Sequence, residues 1–229
     1  MRGEQHQGKS LVYLTILPDD YDPAASYPLV IMLHGFGANM MDLAGLTPVI
    51  HRRGYVYACP NAPIPFELGR GMVGYGWTPP RGQATQEEVC NAETLLGGFF
   101  DEVFQELKTS PGQAILMGFS QGGGMTYRCG LARPETFAGL VALSASLPDP
   151  KELEGRLPPH RDQPIFVAHG QSDPLIPLER AWATRQFLEG AGYRPEYREY
   201  AMGHEISQEV LDDLVPWVAK VLPPLHRQG

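Results

Sequence analysis

Short apolar runs separated by amphipathic stretches are the main pattern of this chain of 229 residues. Residues 29–33 are apolar at every position, which is typical of a strand buried on both faces. The stretch 11–17, which alternates and is rich in branched side chains, predicts an edge strand. Further strands are predicted at 55–58, 114–117, 139–143, 165–168 and 196–200.

Helical patterns lie between these predicted strands. The clearest covers 86–108, where seven apolar side chains recur at three- and four-residue steps. Gly97 and Gly98 lie inside this helix, where each costs about 1 kcal/mol relative to alanine. We expect close backbone packing at the pair, with a break in the helix as the alternative. Other helices are predicted over 41–52, 123–132, 178–189 and 207–222, the last interrupted at Pro216.

The alternation of strands and helices predicts an α/β fold with a mostly parallel central sheet and helices on both faces. The length suits a single domain over residues 1–229, with 1–10 and 223–229 as peripheral tails. The segment 60–85 is crowded with Gly and Pro and is predicted to be a long irregular loop. Loops of that length inside a compact domain are more often functional than idle.

Composition narrows the class of protein. The formal net charge of −8 argues against a surface for nucleic acid or anionic membrane, so we expect no nucleic-acid partner. No apolar run approaches the length of a membrane span, and residues 1–10 lack the apolar core of a signal peptide. Three dispersed cysteines predict reduced thiols, with one disulfide as the alternative, and we expect a cytoplasmic protein. No cysteine or histidine cluster has the spacing of a metal site.

The segment Gly118-Phe119-Ser120-Gln121-Gly122 follows a predicted strand and precedes a predicted helix. In that setting a serine becomes an exposed nucleophile on a sharp turn. The turn forces the serine backbone into a sparsely populated conformation, and glycines two residues away on either side relieve the crowding. The motif fixes only Gly118, Ser120 and Gly122, and such a pattern arises by chance in roughly one chain of this length in fifteen. The alternative is therefore an ordinary serine in a glycine-rich loop.

Two further side chains complete a candidate catalytic set. Asp173 follows the predicted strand 165–168, and His204 follows the strand 196–200. Singly, Asp173 could be a turn aspartate ahead of a proline, and His204 a solvated loop histidine. Together with Ser120 they stand at three strand ends in the order serine, acid, histidine. This order predicts Ser120 as the nucleophile, His204 as its base and Asp173 as the acid that orients the base.

The remaining histidines fit the role of base less well. His169 precedes the acid, so we expect it to make a structural hydrogen bond. The others are assigned to tails, a surface helix or a polar loop, namely His6, His226, His51 and His160.

His34-Gly35-Phe36-Gly37 follows the buried strand 29–33 and predicts an oxyanion loop. Acyl transfer passes through a tetrahedral oxyanion that needs preorganised donors. We expect these donors to be the backbone N–H groups of Phe36 and Gln121. His34 would brace the loop, with a plain turn histidine as an equal alternative.

These residues, with 142–144, 169–177 and 202–204, resemble the phospholipase/carboxylesterase family, which includes acyl-protein thioesterases and small bacterial carboxylesterases. The resemblance covers about residues 11–222. It implies a single-domain α/β-hydrolase fold without a large cap domain, which cleaves carboxylic ester or thioester bonds without metal or cofactor. It also implies Ser120, Asp173 and His204 as the triad, with Phe36 and Gln121 supplying the oxyanion N–H groups.

Two departures from the family pattern bear on the substrate. Trp77 is followed by Thr78-Pro79-Pro80, where the family's thioesterases carry an aromatic residue and an aspartate. Ala38-Asn39 replaces a glycine and an aspartate after the oxyanion loop. Both changes favour simple ester hydrolysis over protein depalmitoylation.

The sequence thus predicts a serine carboxylesterase that hydrolyses short- to medium-chain acyl esters through an acyl-enzyme on Ser120. The alternatives are an acyl-protein thioesterase or lysophospholipase and, from another class, a non-catalytic binding scaffold. We expect a small-molecule ester substrate and a monomer or homodimer. Apolar residues of the 60–85 segment, including Met72, Val73 and Trp77, are expected to wall an acyl pocket, with packing on the sheet edge as the alternative.

Overall fold

The computed structural model describes residues 1–69, 71–80 and 82–225. Its centre is a sheet of eight strands in the order β1-β2-β4-β3-β7-β8-β9-β10, beside a separate hairpin, β5-β6. The strands are β1 Arg2–Gln7, β2 Val12–Leu17, β3 Leu29–Leu33, β4 Val56–Pro60, β5 Ile64–Gly69, β6 Met72–Gly76, β7 Ala114–Phe119, β8 Gly139–Leu143, β9 Ile165–Gly170 and β10 Glu196–Tyr200. β2 pairs antiparallel with β1 and β4, and the other neighbours in the large sheet pair in parallel.

Helices cover both faces of this sheet, as the alternating pattern predicts. They are α1 Thr47–Ile50, α2 Gln86–Glu106, α3 Gln121–Gly130, α4 Pro150–Glu154, α5 Leu178–Gly190 and α6 Gln208–Val221, with a 3-10 turn at Leu43–Leu46. The central strand β3 explains why its sequence is apolar throughout. Ile31 points into a core with side chains of α2 and α3, whereas Val30 and Met32 point into a second core with α1 and α6. A strand between two helical layers must be apolar on both faces.

The beginning of the chain differs from the prediction. Arg2–Gln7, expected in a peripheral tail, forms β1 and pairs along the whole of β2, so β2 is not the edge strand. β1 is polar and mostly exposed, and backbone hydrogen bonds hold it in the sheet. A strand without an apolar face carries no hydrophobic period to detect. Of the predicted tail at the other end, residues 226–229, with His226, lie outside the described residues.

The segment 60–85 is not the irregular loop that its glycines and prolines predict, because it contains the antiparallel hairpin β5-β6. Ile64, Phe66 and Leu68 alternate with other residues along β5, and that alternation is the signal that could have revealed a strand.

Glycine or proline lies inside several of the predicted helices. α2 runs unbroken through its glycine pair, so the alternative of a helix break is wrong. The tight contact is at Gly98 alone and is with a side chain, since a Cβ there would lie 2.3 Å from Ser10 Oγ, whereas one at Gly97 would meet Arg133 at 3.2 Å. α6 continues through Pro216 rather than being interrupted there. The helix predicted over 41–52 is instead the short 3-10 turn followed by α1, with Pro48 in the first turn of α1, where a missing N–H costs little. In the described part of the chain, no helix is long and apolar enough to cross a membrane.

Candidate active site

Ser120 lies on the turn between β7 and α3 with φ 53° and ψ −116°, a conformation that costs a non-glycine residue energy. The flanking glycines make this turn possible. A Cβ at Gly118 would lie 2.2 Å from the Gly122 carbonyl oxygen, and one at Gly122 would lie 2.1 Å from the Leu33 carbonyl oxygen. The Ser120 N–H donates to the Leu143 carbonyl at 2.9 Å, which fixes the turn against β8. The predicted steric role of both glycines is therefore confirmed.

The structure brings Ser120, Asp173 and His204 into one hydrogen-bonded chain. His204 Nδ1 lies 2.7 Å from Asp173 Oδ2, and His204 Nε2 lies 2.9 Å from Ser120 Oγ. Because an ionised carboxylate can only accept, Nδ1–H donates to Asp173 and Nε2 is left to accept the serine O–H. Ser120 follows β7, Asp173 follows β9 and His204 follows β10, all at the carboxyl edge of the sheet, as the chain order predicts.

Asp173 is buried and yet held as a carboxylate. Burial raises the pKa of this group, but hydrogen bonds from the Ile176 N–H, His204 and the Leu175 N–H together outweigh burial and lower the pKa below its usual value. Asp173 Oδ1 accepts both backbone bonds at 2.8 Å, which leaves Oδ2 for the imidazole. A permanently ionised partner stabilises the imidazolium that forms during proton transfer.

The loops that carry the acid and the base are tied to one another. The Ser172 N–H donates to the Met202 carbonyl at 3.1 Å, and the Gln171 N–H donates to the Tyr200 carbonyl at 2.9 Å. His169 is fully buried beneath the acid loop, and its Nε2–H donates to the Ile176 carbonyl at 2.8 Å. His169 therefore makes the structural hydrogen bond that the sequence predicts.

His34 braces the candidate oxyanion loop. Its Nδ1–H donates to the Gly35 carbonyl at 2.7 Å, and its Nε2 accepts the Ala62 N–H at 3.1 Å. Burial lowers the pKa of the imidazole, although the Gly35 bond acts in the opposite direction. A neutral imidazole can donate one of these hydrogen bonds and accept the other. The predicted bracing role of His34 is therefore confirmed, and the alternative of a plain turn histidine is not.

The hairpin β5-β6 supports the same loop from outside. The Gly37 N–H donates to the Tyr75 carbonyl and the Tyr75 N–H to the Ala38 carbonyl, both at 2.8 Å. The ring of Phe36 packs on that of Phe66, with centroids 4.8 Å apart. The Phe36 N–H donates to no other residue in the described part of the chain. Sequence reasoning missed this support because it treated the hairpin as loop.

Gln121 joins the serine turn to the wall of the site. As the first residue of α3, its N–H has no acceptor within the helix. Its side-chain Oε1 accepts the Trp77 N–H at 2.8 Å, and its Nε2–H donates to the Thr78 carbonyl at 2.9 Å and to Thr78 Oγ1 at 3.0 Å. Trp77 in turn donates its indole N–H to the His34 carbonyl at 2.9 Å. Nothing in the sequence pattern pointed to these side-chain bonds.

A cleft of about 800 Å³ opens over Ser120. The residues expected to wall it are not among its lining residues: Trp77 is fully buried behind it, and Met72 and Val73 are exposed on the hairpin. The acyl-pocket prediction for these three residues was therefore wrong, because the tryptophan serves the loop contacts and the hairpin lies outside the cleft. The apolar part of the wall includes Phe36, Pro79, Pro80, Val89, Met125, Leu147, Leu175, Ile176 and Ala183.

The site contains side chains of the types that can transfer protons and form covalent bonds. Within residues 1–69, 71–80 and 82–225, no group of three or more His, Cys, Asp or Glu side chains is arranged to hold a metal ion. The arrangement of nucleophile, imidazole, carboxylate and two backbone donors is the one that acyl transfer uses.

Known proteins resemble this chain over most of its length. The family model for phospholipase/carboxylesterase proteins matches residues 22–222. An acyl-protein thioesterase 1 of Gibberella zeae is 31% identical over 222 residues, which cover 88% of this chain and 94% of that protein. A protein of Oryza sativa subsp. japonica named "Probable carboxylesterase" is 36% identical over 71% of this chain and 64% of its own length.

A solved structure agrees with these sequence matches. The crystal structure of esterase PE8 superposes with a TM-score of 0.77 and 25% identity, over 91% of this chain and 97% of that one. The predicted α/β-hydrolase architecture is thereby confirmed, and the relatives support hydrolase activity of the esterase or thioesterase type. The chain belongs to the phospholipase/carboxylesterase family of α/β hydrolases.

Proposed function

We propose that this protein is a serine carboxylesterase that hydrolyses short- to medium-chain acyl esters through an acyl-enzyme on Ser120. The observation that carries the proposal is the continuous hydrogen-bond chain from Ser120 Oγ through His204 to Asp173, with distances of 2.9 and 2.7 Å. A serine hydroxyl is a weak nucleophile at neutral pH, and this arrangement supplies the base that it needs.

In the acylation step, Ser120 Oγ attacks the ester carbonyl carbon while His204 Nε2 takes the hydroxyl proton. The imidazolium, stabilised by Asp173, then protonates the departing alcohol. In the second step the neutral imidazole takes a proton from water, and the resulting hydroxide attacks the acyl-enzyme. The carboxylic acid leaves, the proton returns to Ser120 Oγ, and one water molecule has been consumed per ester.

Both steps pass through a tetrahedral oxyanion, for which the N–H groups of Phe36 and Gln121 are the proposed donors. The Gln121 N–H stands at the start of α3, where the helix dipole favours negative charge. Each donor of this kind contributes about 10²–10³ in kcat in enzymes where it has been removed.

The size and lining of the cleft are consistent with the proposed short- to medium-chain acyl group. Its volume of about 800 Å³ lies within the range of small-molecule sites, about 300–1,000 Å³, and much of its wall is apolar. Thioester hydrolysis is the second candidate, because a relative that aligns over 88% of this chain is named acyl-protein thioesterase 1. Lysophospholipase activity is a further alternative within the same chemistry. The departures at Thr78 and Ala38 favour the ester.

We also propose a cytoplasmic location and, for the assembly, a monomer or homodimer. The three cysteines are free, and Cys59 and Cys129 are buried. Burial raises the pKa of the Cys129 thiol to about 12. Unpaired, protonated thiols are compatible with a reducing compartment.

The proposal is tested with p-nitrophenyl esters and matched acyl thioesters of two to twelve carbons, using wild type and Ser120→Ala. We expect the wild type to prefer esters of short or medium chain length, and the variant to lose at least about 10⁴-fold in kcat. A preference for thioesters would favour the second candidate. Folded wild type that neither turns over any ester or thioester nor reacts with a fluorophosphonate at Ser120 would support the binding scaffold instead.

A further inference from the structure

One arginine faces the cleft of Ser120 from helix α5. Arg180, Ala183 and Thr184 are spaced at i, i+3 and i+4, so they share one face of the helix, and all three line the cleft. Arg180 therefore borders the same cavity as Ser120.

Among the described residues, Arg180 has no ion-pair partner, unlike Arg128, which also lines the cleft. Arg128 Nη1 donates to Glu93 at 3.1 Å and Nη2 to Glu152 at 2.6 Å, while Arg156 shares Glu93 at 2.8 Å. Two arginines and two glutamates therefore balance there. Arg180 forms no ion pair with any residue among 1–69, 71–80 and 82–225.

The acidic side chain nearest in the lining does not pair with Arg180. Asp149 is the acidic side chain among the described lining residues, and its carboxylate is already engaged in accepting the Lys151 N–H at 2.9 Å as the cap of α4. Arg180 lies in the first turn of α5, where the helix dipole disfavours a cation. Arg180 is exposed, so water hydrates its charge in the free protein. A negatively charged group of a ligand in the cleft could replace that water and pair with the guanidinium.

We propose that Arg180 binds a carboxylate on the substrate, so that the cleft selects carboxylic esters with an anionic end remote from the scissile carbonyl, such as half-esters of dicarboxylic acids. The planar guanidinium matches the two oxygens of a carboxylate. The apolar wall between Ser120 and α5 would accommodate the methylene chain that separates the two ends. This inference rests on the proposed esterase function and identifies a substrate class for it.

The test compares monoethyl adipate with ethyl hexanoate, two ethyl esters of six-carbon acids that differ in the remote carboxylate, by pH-stat at neutral pH. The readout is the ratio of kcat/KM for the anionic ester to that for the neutral one. We expect Arg180→Gln to lower this ratio about tenfold, since a partly exposed charge-assisted bond is lost. Arg180→Lys should retain part of it, and added salt should reduce the wild-type preference.

Arg185→Gln is the matched control. It removes the same charge from the same helix, but Arg185 pairs with Glu189 at 2.7 Å, lies over the Tyr197 ring and is not among the lining residues. We expect this variant to keep the wild-type ratio. Circular dichroism of each variant checks that the fold is retained.

An unchanged ratio in Arg180→Gln would overturn the inference, while Ser120-dependent hydrolysis of ethyl hexanoate would leave the esterase proposal standing. If no ester is hydrolysed, the esterase proposal fails, and binding decides the inference. Monoethyl adipate is then titrated into Ser120→Ala with and without Arg180→Gln, followed by ligand-observed NMR. About tenfold weaker binding in the double variant supports the anion site, and equal binding rejects it.

Discussion

At the scale of single residues, the site depends on a backbone conformation that only its neighbours permit. Ser120 adopts a positive φ because Gly118 and Gly122 leave room for backbone atoms at 2.2 and 2.1 Å from where a Cβ would stand. Both obstacles are backbone atoms that belong to the sheet and to α3, so they cannot move like the end of a flexible side chain.

Gly118→Ala should therefore destabilise the protein and reduce activity. We expect a loss of about 1–3 kcal/mol in the free energy of unfolding, since overpacking forces the backbone to shift, together with a large fall in kcat. Urea denaturation and ester turnover measure the two effects. Gly45→Ala is the control, because a Cβ there meets nothing within 4 Å. Equal stabilities of the two variants would contradict the steric argument.

The lowered pKa of Asp173 predicts a stability effect as well as a catalytic one. A carboxyl whose folded pKa lies below the unfolded value of about 3.9 stabilises the fold above that pH, and the contribution is lost as the pH falls through the folded pKa. Asp173→Asn lacks this contribution. The difference in unfolding free energy between wild type and variant should therefore be larger at pH 7 than at pH 3, as measured by urea denaturation.

Asp173→Asn should also lower kcat by about 10³–10⁴-fold at pH 7, since the amide favours the wrong imidazole tautomer. Wild-type kcat in the variant would show that the bond between Asp173 and His204 is not used in catalysis.

At the scale of elements, the hairpin β5-β6 and the oxyanion loop form one unit. Its two backbone bonds join Tyr75 to Gly37 and Ala38, and the rings of Phe36 and Phe66 pack together. The hairpin therefore positions a proposed donor, although none of its described residues lines the cleft.

Gly74→Ala tests this coupling. A Cβ at Gly74 would lie 2.1 Å from the Gly37 carbonyl oxygen, so the oxyanion loop must shift. We expect kcat to fall about 10- to 100-fold with a smaller change in KM, since part of a transition-state hydrogen bond is lost. Met72→Ala truncates an exposed side chain of the same strand and should alter neither constant nor the acyl-length profile. If Gly74→Ala raises KM and leaves kcat unchanged, the result would argue against a role of the hairpin in the transition state.

At the scale of the whole molecule, one sheet carries every residue of the proposed mechanism. β3, β7, β9 and β10 end at the same edge and hold the oxyanion loop, serine, acid and base respectively. Two cores on opposite faces of the sheet share those strands. We therefore propose that residues 1–229 unfold as a single domain.

Urea should then unfold the protein in one transition, with tryptophan fluorescence, far-UV circular dichroism and esterase activity lost at the same midpoint. Two separated transitions would contradict a single cooperative unit. Ser120→Ala should unfold at nearly the wild-type midpoint, because the hydroxyl fills no core volume.

Local chemistry by itself determined the strand–turn–helix around Ser120, the buried strands, the order of serine, acid and histidine, and the family. These features are encoded locally, because apolar periodicity and glycines next to polar residues can be recognised within short stretches of sequence. Tertiary structure alone decided that Arg2–Gln7 joins the sheet, that Trp77 serves the loops rather than the substrate, and that Gln121 binds Thr78. These contacts link residues distant in the chain through backbone and side-chain hydrogen bonds, which leave no hydrophobic period. The cleft and the place of Arg180 beside it were also decided by tertiary structure, since a cavity exists only where separate elements meet.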